Sequence, residues 1–460
     1  MKNIIIYAIC TFILVGCKKQ DEWLEKKSNK SDIIPSTVED FQALLDNTDV
    51  MNTKYPAIGL IGADNSYILD QTAISGGTLQ ERNAYKWSSD IYEGELFAPD
   101  WTYPYQVIEY SNVVLDGIEK IKNINDTRIP EVKGTALFFR AFAYYQLAQL
   151  YAKQYNESTA DSDLGLPLKL NSDVNDLPNR STLKETYDRI INDLIEAESL
   201  LPLQVSYKTR PTKLAAESML SKVYFNMQNY TKAKEFADIV LSKNSELIDF
   251  NTLSTTVNFP FPTVRGNNTE IIFYAQTISY TFNSRQELCV MKDLFDTYEN
   301  EDLRKAIFFK KNTNGAINFG GRYTGAGALF CGIATNEIFL IRSESLARSG
   351  NFVEAMNDLN KLLKERWKKE NGRSTYSNKT ASNPTEALLL IINERRKELP
   401  FTANLRWEDL RRLNMDDKFA KKLTRNIGVN IYTLEANSPR YVFPIPPVEI
   451  NFHPLTQNIR

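Results

Sequence analysis

Two segments of the chain repeat one spacing of large and small residues, and this spacing restricts the folds that the chain can adopt. Intervals of 6, 3 and 7 positions separate the members of both sets, which are Tyr224, Tyr230, Ala233 and Val240 in the first and Leu346, Phe352, Ala355 and Leu362 in the second. A tetratricopeptide unit has this pattern, because its two helices cross closely at a small residue and diverge at large ones. The pattern predicts a helix pair in both segments. It also predicts that Ser221 and Ser343, three residues before each set, are buried at the helix crossings.

The rest of the chain surrounds these units with helices and loops. The segment KGTALFFRAFAYYQLAQLYA is apolar on most of its surface, which predicts a buried helix over 132–153, and a second helix is predicted over 106–122. Capping patterns predict three more helix starts, at Ser36-x-x-Glu39, Thr182-x-x-Glu185 and Asn383-Pro384-Thr385-Glu386. Residues 52–104 lack sustained periodicity and are interpreted as loops, and 246–332 as an insertion with short β-like runs.

The N-terminus has the pattern of a secretion signal. About a dozen mostly apolar residues follow Lys2, too few for a membrane-spanning helix, which needs about 20, but enough for a signal peptide. The run ends in Leu14-Val15-Gly16-Cys17, which resembles the lipobox of bacterial lipoproteins. In such proteins the cysteine is acylated, so Cys17 is the predicted lipid attachment site. The alternative is an ordinary signal peptide with an incidental cysteine.

Composition favours a packed protein and argues against several kinds of enzyme. Of 460 residues, 42% are hydrophobic and 24% charged, which is typical of a globular core, and the net charge of -2 gives no general attraction to nucleic acid. The single histidine, His453, nearly excludes a Ser-His-Asp triad or a multi-histidine metal site, and no cofactor is expected. Chemistry with two carboxylates, as in glycosidases, remains open. Cys289 and Cys331 form either a disulfide or two buried thiols.

Five features together resemble the SusD/RagB family of surface lipoproteins. They are the lipobox, the KGTALFFRAFAYYQLAQLYA helix, the split tetratricopeptide units, the ERRKEL and RWEDLRRL segments, and the terminal FPIPPVEI with a later QN. The resemblance implies a mainly α, SusD-like fold, with four tetratricopeptide-like helix pairs as a scaffold and a loop-rich lobe with short β segments. It also implies a nutrient-capturing lid on a SusC-like TonB-dependent outer-membrane barrel, held to the cell surface by its lipid.

The resemblance suggests one division of the chain. Residues 1–16 are the expected lipoprotein signal peptide, 17–35 a tether and 36–460 a SusD-like domain. Within that domain we expect five parts, namely a loop-rich part (36–130), two helical-repeat units (131–245), the insertion lobe (246–332), two further units (333–415) and a C-terminal segment (416–460).

The loops within 64–105 and 275–330 supply candidate ligand-binding groups, and the ligand site is predicted there and not in the helical segment near Arg406. Sugar-binding sites stack the C–H face of a sugar on an exposed aromatic ring and bind its hydroxyls with polar side chains. The candidates, most of them aromatic, are Tyr85, Trp87, Tyr92, Trp101, Tyr103, Tyr105, Tyr280, Phe282, Arg285 and Tyr323. The alternative is that these residues pack in the core, and Trp101 is the most doubtful because it directly precedes a predicted helix.

The expected ligand is an oligosaccharide, with a peptide as the alternative. The charged residues near Arg395 and Trp407 have the spacing of paired residues on helices and are interpreted as structural. A surface glycosidase and a bare protein-interaction scaffold are the competing function classes.

Overall fold

The computed structural model describes residues 35–121, 124–264, 268–284, 287–313 and 315–460. The expected signal peptide, Cys17 and Arg285 lie outside the described residues.

Short helices fill much of the N-terminal part. They are α1 (Val38–Leu45), α2 (Thr48–Met51), α3 (Ile58–Gly62), α4 (Gln71–Gly76) and α5 (Leu79–Tyr85). The interpretation of 52–104 as loops is therefore wrong in part, because helices of five to seven residues are too short to show a hydrophobic period. The capping box of α1 lies one residue beyond the expected one, with Thr37 as N-cap and Asp40 at the third helical position.

Long helices form the scaffold. They are α6 (Pro99–Lys120), α7 (Ile129–Tyr151), α8 (Leu183–Leu200), α9 (Lys213–Asn226) and α10 (Tyr230–Lys243), with the strands β2 (Leu164–Pro167) and β3 (Arg180–Thr182) before α8. Helix α7 packs between α6 and α8, and nearly every side chain from Val132 to Tyr151 is buried. The prediction of a buried helix here is confirmed. Helix α8 begins at the predicted Thr182–Glu185 capping box.

The insertion contains a small mixed lobe. Its elements are β4 (Ile271–Phe273), β5 (Cys289–Val290), α11 (Lys292–Phe295), α12 (Arg304–Phe308), β6 (Phe309–Lys311) and β7 (Ile317–Phe319). An antiparallel sheet in the order β1-β5-β7-β6 takes its first strand, β1 (Ser66–Tyr67), from the N-terminal part. Two distant stretches of the chain are thereby held side by side. Cys289 and Cys331 are buried free thiols.

The remaining elements complete the scaffold. They are β8 (Ile333–Ala334), α13 (Thr335–Arg348), α14 (Phe352–Lys364), β9 (Lys369–Glu370), β10 (Arg373–Ser374), α15 (Pro384–Glu398), α16 (Leu405–Leu413), β11 (Leu423–Ile427), β12 (Asn430–Leu434) and α17 (Pro447–Phe452). Helix α13 packs against α10, α14 and α15. Helix α15 begins with the predicted N-cap Asn383 and Pro384. Among the described residues, no helix is both long and apolar enough to cross a membrane.

The two repeated segments form equivalent helix pairs. Ser221 and Ser343 are fully buried, as the spacing predicts. The Ser221 hydroxyl donates to the Ala233 carbonyl at 2.8 Å, and the Ser343 hydroxyl donates to the Ala355 carbonyl at 2.7 Å. Each serine thus bonds to the backbone of the small residue in the partner helix. The description of the scaffold as four such pairs stays a prediction.

Charged residues of α15 and α16 are buried and paired, in agreement with their structural interpretation. Arg304 of the insertion lies 2.7 Å from both Asp302 and Glu394 and 3.2 Å from Glu398. Arg366 continues the network from Glu398 to Glu270 of the lobe. These pairs tie the insertion to the helical scaffold.

Candidate functional site

Most of the predicted ligand-binding aromatics are interior residues. Seven of the candidates expose less than one tenth of their surface, namely Tyr85, Trp87, Tyr92, Trp101, Tyr280, Phe282 and Tyr323. The expectation that these rings are exposed is wrong, since a ring without free surface cannot stack on a ligand in this conformation. Tyr103 and Tyr105 are half-buried.

Several of these rings hold the N-terminal loops onto the scaffold. The Trp87 indole N–H donates to the carbonyl of Gly62 in α3 at 2.8 Å. The Arg425 guanidinium lies 3.9 Å from the ring centroid of Tyr85 and 4.8 Å from that of Trp87. The Tyr92 hydroxyl donates to the Pro444 carbonyl at 3.1 Å. The aromatic residues of this segment therefore pack the loops into the same hydrophobic core as the scaffold helices.

Trp101 and Tyr323 also pack internally, in different places. The Trp101 ring lies 4.8 Å from Tyr105 and 4.9 Å from Tyr151, so it joins the start of α6 to the end of α7. Tyr323 belongs to the core of the insertion lobe, where its ring lies 4.4 Å from Phe261. The structure does not bring Tyr323 to the other candidates.

Tyr280 and Phe282 connect the insertion to the N-terminal loops. The Tyr280 hydroxyl donates to Asp100, whose other carboxylate oxygen accepts from the Ala57 amide at 2.7 Å. Burial raises the pKa of Asp100, although the hydrogen bond from Tyr280 acts in the opposite direction. The Phe282 amide donates to Glu81 at 2.7 Å. The two stretches predicted to hold the ligand site are therefore in direct contact.

Glycine allows this contact to be close. A Cβ atom placed on Gly77 would lie 2.4 Å from the Phe282 ring. The Phe282 ring in turn makes an edge contact with Tyr85 at 5.8 Å. Gly77 thus lets the segment before α5 lie directly on the insertion.

An exposed apolar pair lies at the surface of this junction. Leu96 is 69% exposed and Phe97 is 53% exposed, so two large apolar side chains lie next to each other at the surface. The Phe97 ring meets the half-buried Tyr103 edge-on at 5.7 Å, and the Lys54 ammonium lies 5.1 Å from the Tyr103 ring centroid. Sequence reasoning missed Leu96 and Phe97, although the signal was present in two large apolar residues just before the proline that opens α6.

The exposed pair borders a recess of about 500 Å³. It is lined by Thr78, Gln80, Glu95, Leu96, Phe97, Pro99 and Tyr280. A second recess of about 450 Å³ uses neighbouring residues of the same two stretches and is lined by Leu69, Asp70, Thr72, Ala73, Gly76, Thr281 and Glu287. Both volumes are in the usual range of small-molecule sites, roughly 300–1,000 Å³.

A larger recess of about 790 Å³ lies in the scaffold, at the turn between α9 and α10 and the end of α13. Charged helix residues that pair with their neighbours form much of its wall. Lys234 lies 2.6 Å from Asp238, and Arg348 lies 2.8 Å from Glu344. We assign this recess to the packing of the helix pairs and take the Phe97 surface as the candidate site.

Comparisons with known proteins agree with this architecture. A family model described as SusD-like, starch-binding associating with outer membrane, matches residues 22–225, and the SusD family model matches residues 306–459. The SusD-like protein P2 of Formosa agariphila is 27% identical over 186 residues, which is 40% of this chain. The match spans about a third (34%) of that relative's own length.

Solved structures share the fold along nearly the whole chain. A SusD superfamily protein from Bacteroides thetaiotaomicron superposes with a TM-score of 0.74 at 21% identity, covering 92% of this chain and 100% of the other. A SusD-like carbohydrate binding protein from Bacteroides vulgatus superposes with a TM-score of 0.66 at 20% identity, covering 90% and 96%.

The family models match both ends of the domain, and the solved structures superpose on nearly all of the chain between and including these ends. The chain belongs to the SusD/RagB family, one model of which is described as starch-binding and associating with the outer membrane.

Proposed function

We propose that this protein captures an oligosaccharide on the surface formed by Leu96, Phe97 and Tyr103 and holds part of it in the adjoining recess. The observation that carries the proposal is the exposure of Phe97 beside a mostly apolar recess whose lining includes Gln80 and Glu95. The C–H face of a sugar ring buries well against an aromatic ring, while its hydroxyls need polar partners at the edge. A starch-binding family description and a carbohydrate-binding structural relative support this ligand class.

The protein would bind its ligand without catalysing a reaction on it, and would deliver it to a transporter. Its family is described by binding, and the charged cluster near Trp407 is used in packing. By family resemblance, the partner is a SusC-like TonB-dependent barrel on which this protein acts as a hinged lid. Lipid on Cys17 would anchor it in the outer membrane, facing the exterior.

Binding is tested by screening the protein against neutral, acidic and amino glycans and against peptides, followed by calorimetry on the best ligand. Phe97→Ala should weaken binding by about 1–3 kcal/mol, by analogy with aromatic stacking on bases. Phe452→Ala is the matched control, because Phe452 is 73% exposed but lies in α17, outside the lining of both recesses. Equal affinity of wild type and Phe97→Ala protein would contradict the placement of the site, and binding of peptides alone would contradict the ligand class.

The anchor is tested separately in cells. Two or more acyl chains hold a protein stably on a membrane, so wild-type protein should sediment with membranes and Cys17→Ala protein should not. Lipid labelling of the Cys17→Ala protein would show that another residue is the anchor.

A further inference from the structure

Glu95 gives the recess beside Phe97 its main polar character. Its carboxylate is half-buried and accepts a hydrogen bond from the Gln80 side-chain amide at 2.8 Å. The same amide nitrogen donates to the Phe97 carbonyl at 2.6 Å. Gln80 is itself buried, so it fixes the Glu95 carboxylate and the backbone of Phe97 in one arrangement.

The described residues that line the two recesses carry formal charge of one sign. Among the described lining residues of both, the charged ones are Glu95, Asp70 and Glu287, all acidic. Within the described part of the chain, no lysine or arginine forms an ion pair with any of these three. The nearby Arg82 uses its guanidinium to donate to the Gly77 carbonyl at 2.8 Å. The Lys54 ammonium lies over the Tyr103 ring, 5.1 Å from its centroid, and does not line either recess.

We propose that Glu95 binds donor groups of the ligand and makes this site select neutral or amino-bearing glycans over glycans that carry carboxylates or sulfates. The inference rests on the proposed function and adds the charge class of the ligand. An ionised carboxylate only accepts hydrogen bonds, and its bonds from hydroxyl or ammonium donors are stronger than those between neutral groups. An anionic ligand group brought to the same position meets a like charge, which is a common source of specificity.

The connection through Gln80 sets the geometry of recognition. Phe97 offers a ring to the face of a sugar, and Glu95 offers acceptors to its edge. The Gln80 amide bonds to the Glu95 carboxylate and to the Phe97 backbone. The groups that contact the face and the edge of the sugar are therefore held at a fixed separation. Gln80 is therefore a positioning residue, and Glu95 is the group that contacts the ligand.

The test compares wild-type and Glu95→Gln protein on pairs of glycans that share a sugar backbone and differ in charge. Suitable pairs are oligogalacturonides with their methyl esters and chitosan oligomers with their N-acetylated forms, titrated beside a panel of neutral and sulfated glycans. Wild-type protein should prefer the methyl esters over the oligogalacturonides and the chitosan oligomers over their N-acetylated forms. Glu95→Gln should weaken binding of the preferred members by about tenfold, the size of one lost charged hydrogen bond. The same variant should bind the acidic members relatively better.

Glu354→Gln is the control, because it changes the net charge equally at an exposed position on α14 and should alter neither preference. Melting temperatures of both variants exclude a folding effect. A wild-type preference for acidic glycans, or an unchanged preference in Glu95→Gln, overturns the inference while leaving glycan binding in place. Failure of the wild type to bind any glycan overturns the proposed function, and this inference with it.

Discussion

Trp87 and Phe97 lie in the same N-terminal segment, yet the structure uses them in opposite ways. Trp87 is 1% exposed and hydrogen-bonded to α3, whereas more than half of Phe97 is exposed beside a recess. Trp407 contacts the same helix as Trp87, since its ring would lie 2.8 Å from a Cβ on Gly62. Large rings in a loop segment are therefore not exposed by default, because long loops need a core before they can present a binding surface.

Charged residues show the same contrast. Arg304 is fully buried among Asp302, Glu394 and Glu398, whereas Lys292 and Asp296 form a pair that is largely exposed. Buried pairs are costly to break because the remaining charges lose their compensation, whereas exposed pairs contribute little. Residues of one chemical type thus divide into those that hold the fold and those available for contacts.

Trp87→Ala tests the contrast between Trp87 and Phe97 and has the largest expected effect on stability. Removing a fully buried tryptophan should lower the free energy of unfolding by about 3–5 kcal/mol, measured by urea unfolding. The affinity of the folded fraction for glycan should hold. A Trp87→Ala protein of normal stability that no longer binds ligand would reverse the roles given to Trp87 and Phe97.

Arg304→Met tests the polar side of the comparison. It leaves three buried carboxylates without their shared cation and should cost about 3–5 kcal/mol of stability. Lys292→Met removes the cation of the exposed pair and should cost no more than about 1 kcal/mol. Similar unfolding midpoints for the two variants would show that burial does not separate these pairs.

Glu344 makes the difference between buried and exposed charged residues dependent on pH. Burial alone would raise its pKa, but the charges of Arg412 and Arg348 outweigh burial and hold the pKa at about 2, below the ordinary 4.5. The ionised carboxylate therefore stabilises the fold above pH 4.5, and this contribution is lost as the pH falls towards 2. The stability difference between wild type and Glu344→Gln should shrink over that interval, while exposed Glu354→Gln stays close to wild type throughout. A difference that does not change with pH would contradict the lowered pKa.

Ser343→Leu tests whether the second helix pair crosses as closely as the repeated spacing predicts, and its expected effect on stability is smaller. A larger side chain at the crossing should overpack it and cost about 1–3 kcal/mol. Ser242→Leu, at an exposed position of α10, is the control and should change stability by less than about 0.5 kcal/mol. An unchanged melting temperature for Ser343→Leu would remove the support for a close crossing at Ser343.

Sequence alone predicted the scaffold better than the site. Periodicity and capping identified α7, α8 and α15, because helices of four to six turns repeat their pattern often enough to be seen. Sequence reasoning also placed the ligand site on two loop stretches, since binding groups collect on connections held by a rigid scaffold, and this placement stays a prediction. The individual side chains of the site were not predicted from the sequence. Burial of Trp87 or Tyr280 depends on partners such as Gly62 and Asp100, which lie far away in the sequence or in another element.

Hydroxyl-radical footprinting with mass spectrometry tests the central claim most directly, because it measures side-chain exposure with and without ligand. In the free protein, Leu96 and Phe97 should be oxidised nearly as fast as in the unfolded chain, whereas Trp87 and Trp101 should be strongly protected. Addition of a bound glycan should then protect Leu96 and Phe97 and leave both tryptophans unchanged. Rapid oxidation of Trp87 in the folded protein, with protection by glycan, would contradict the account.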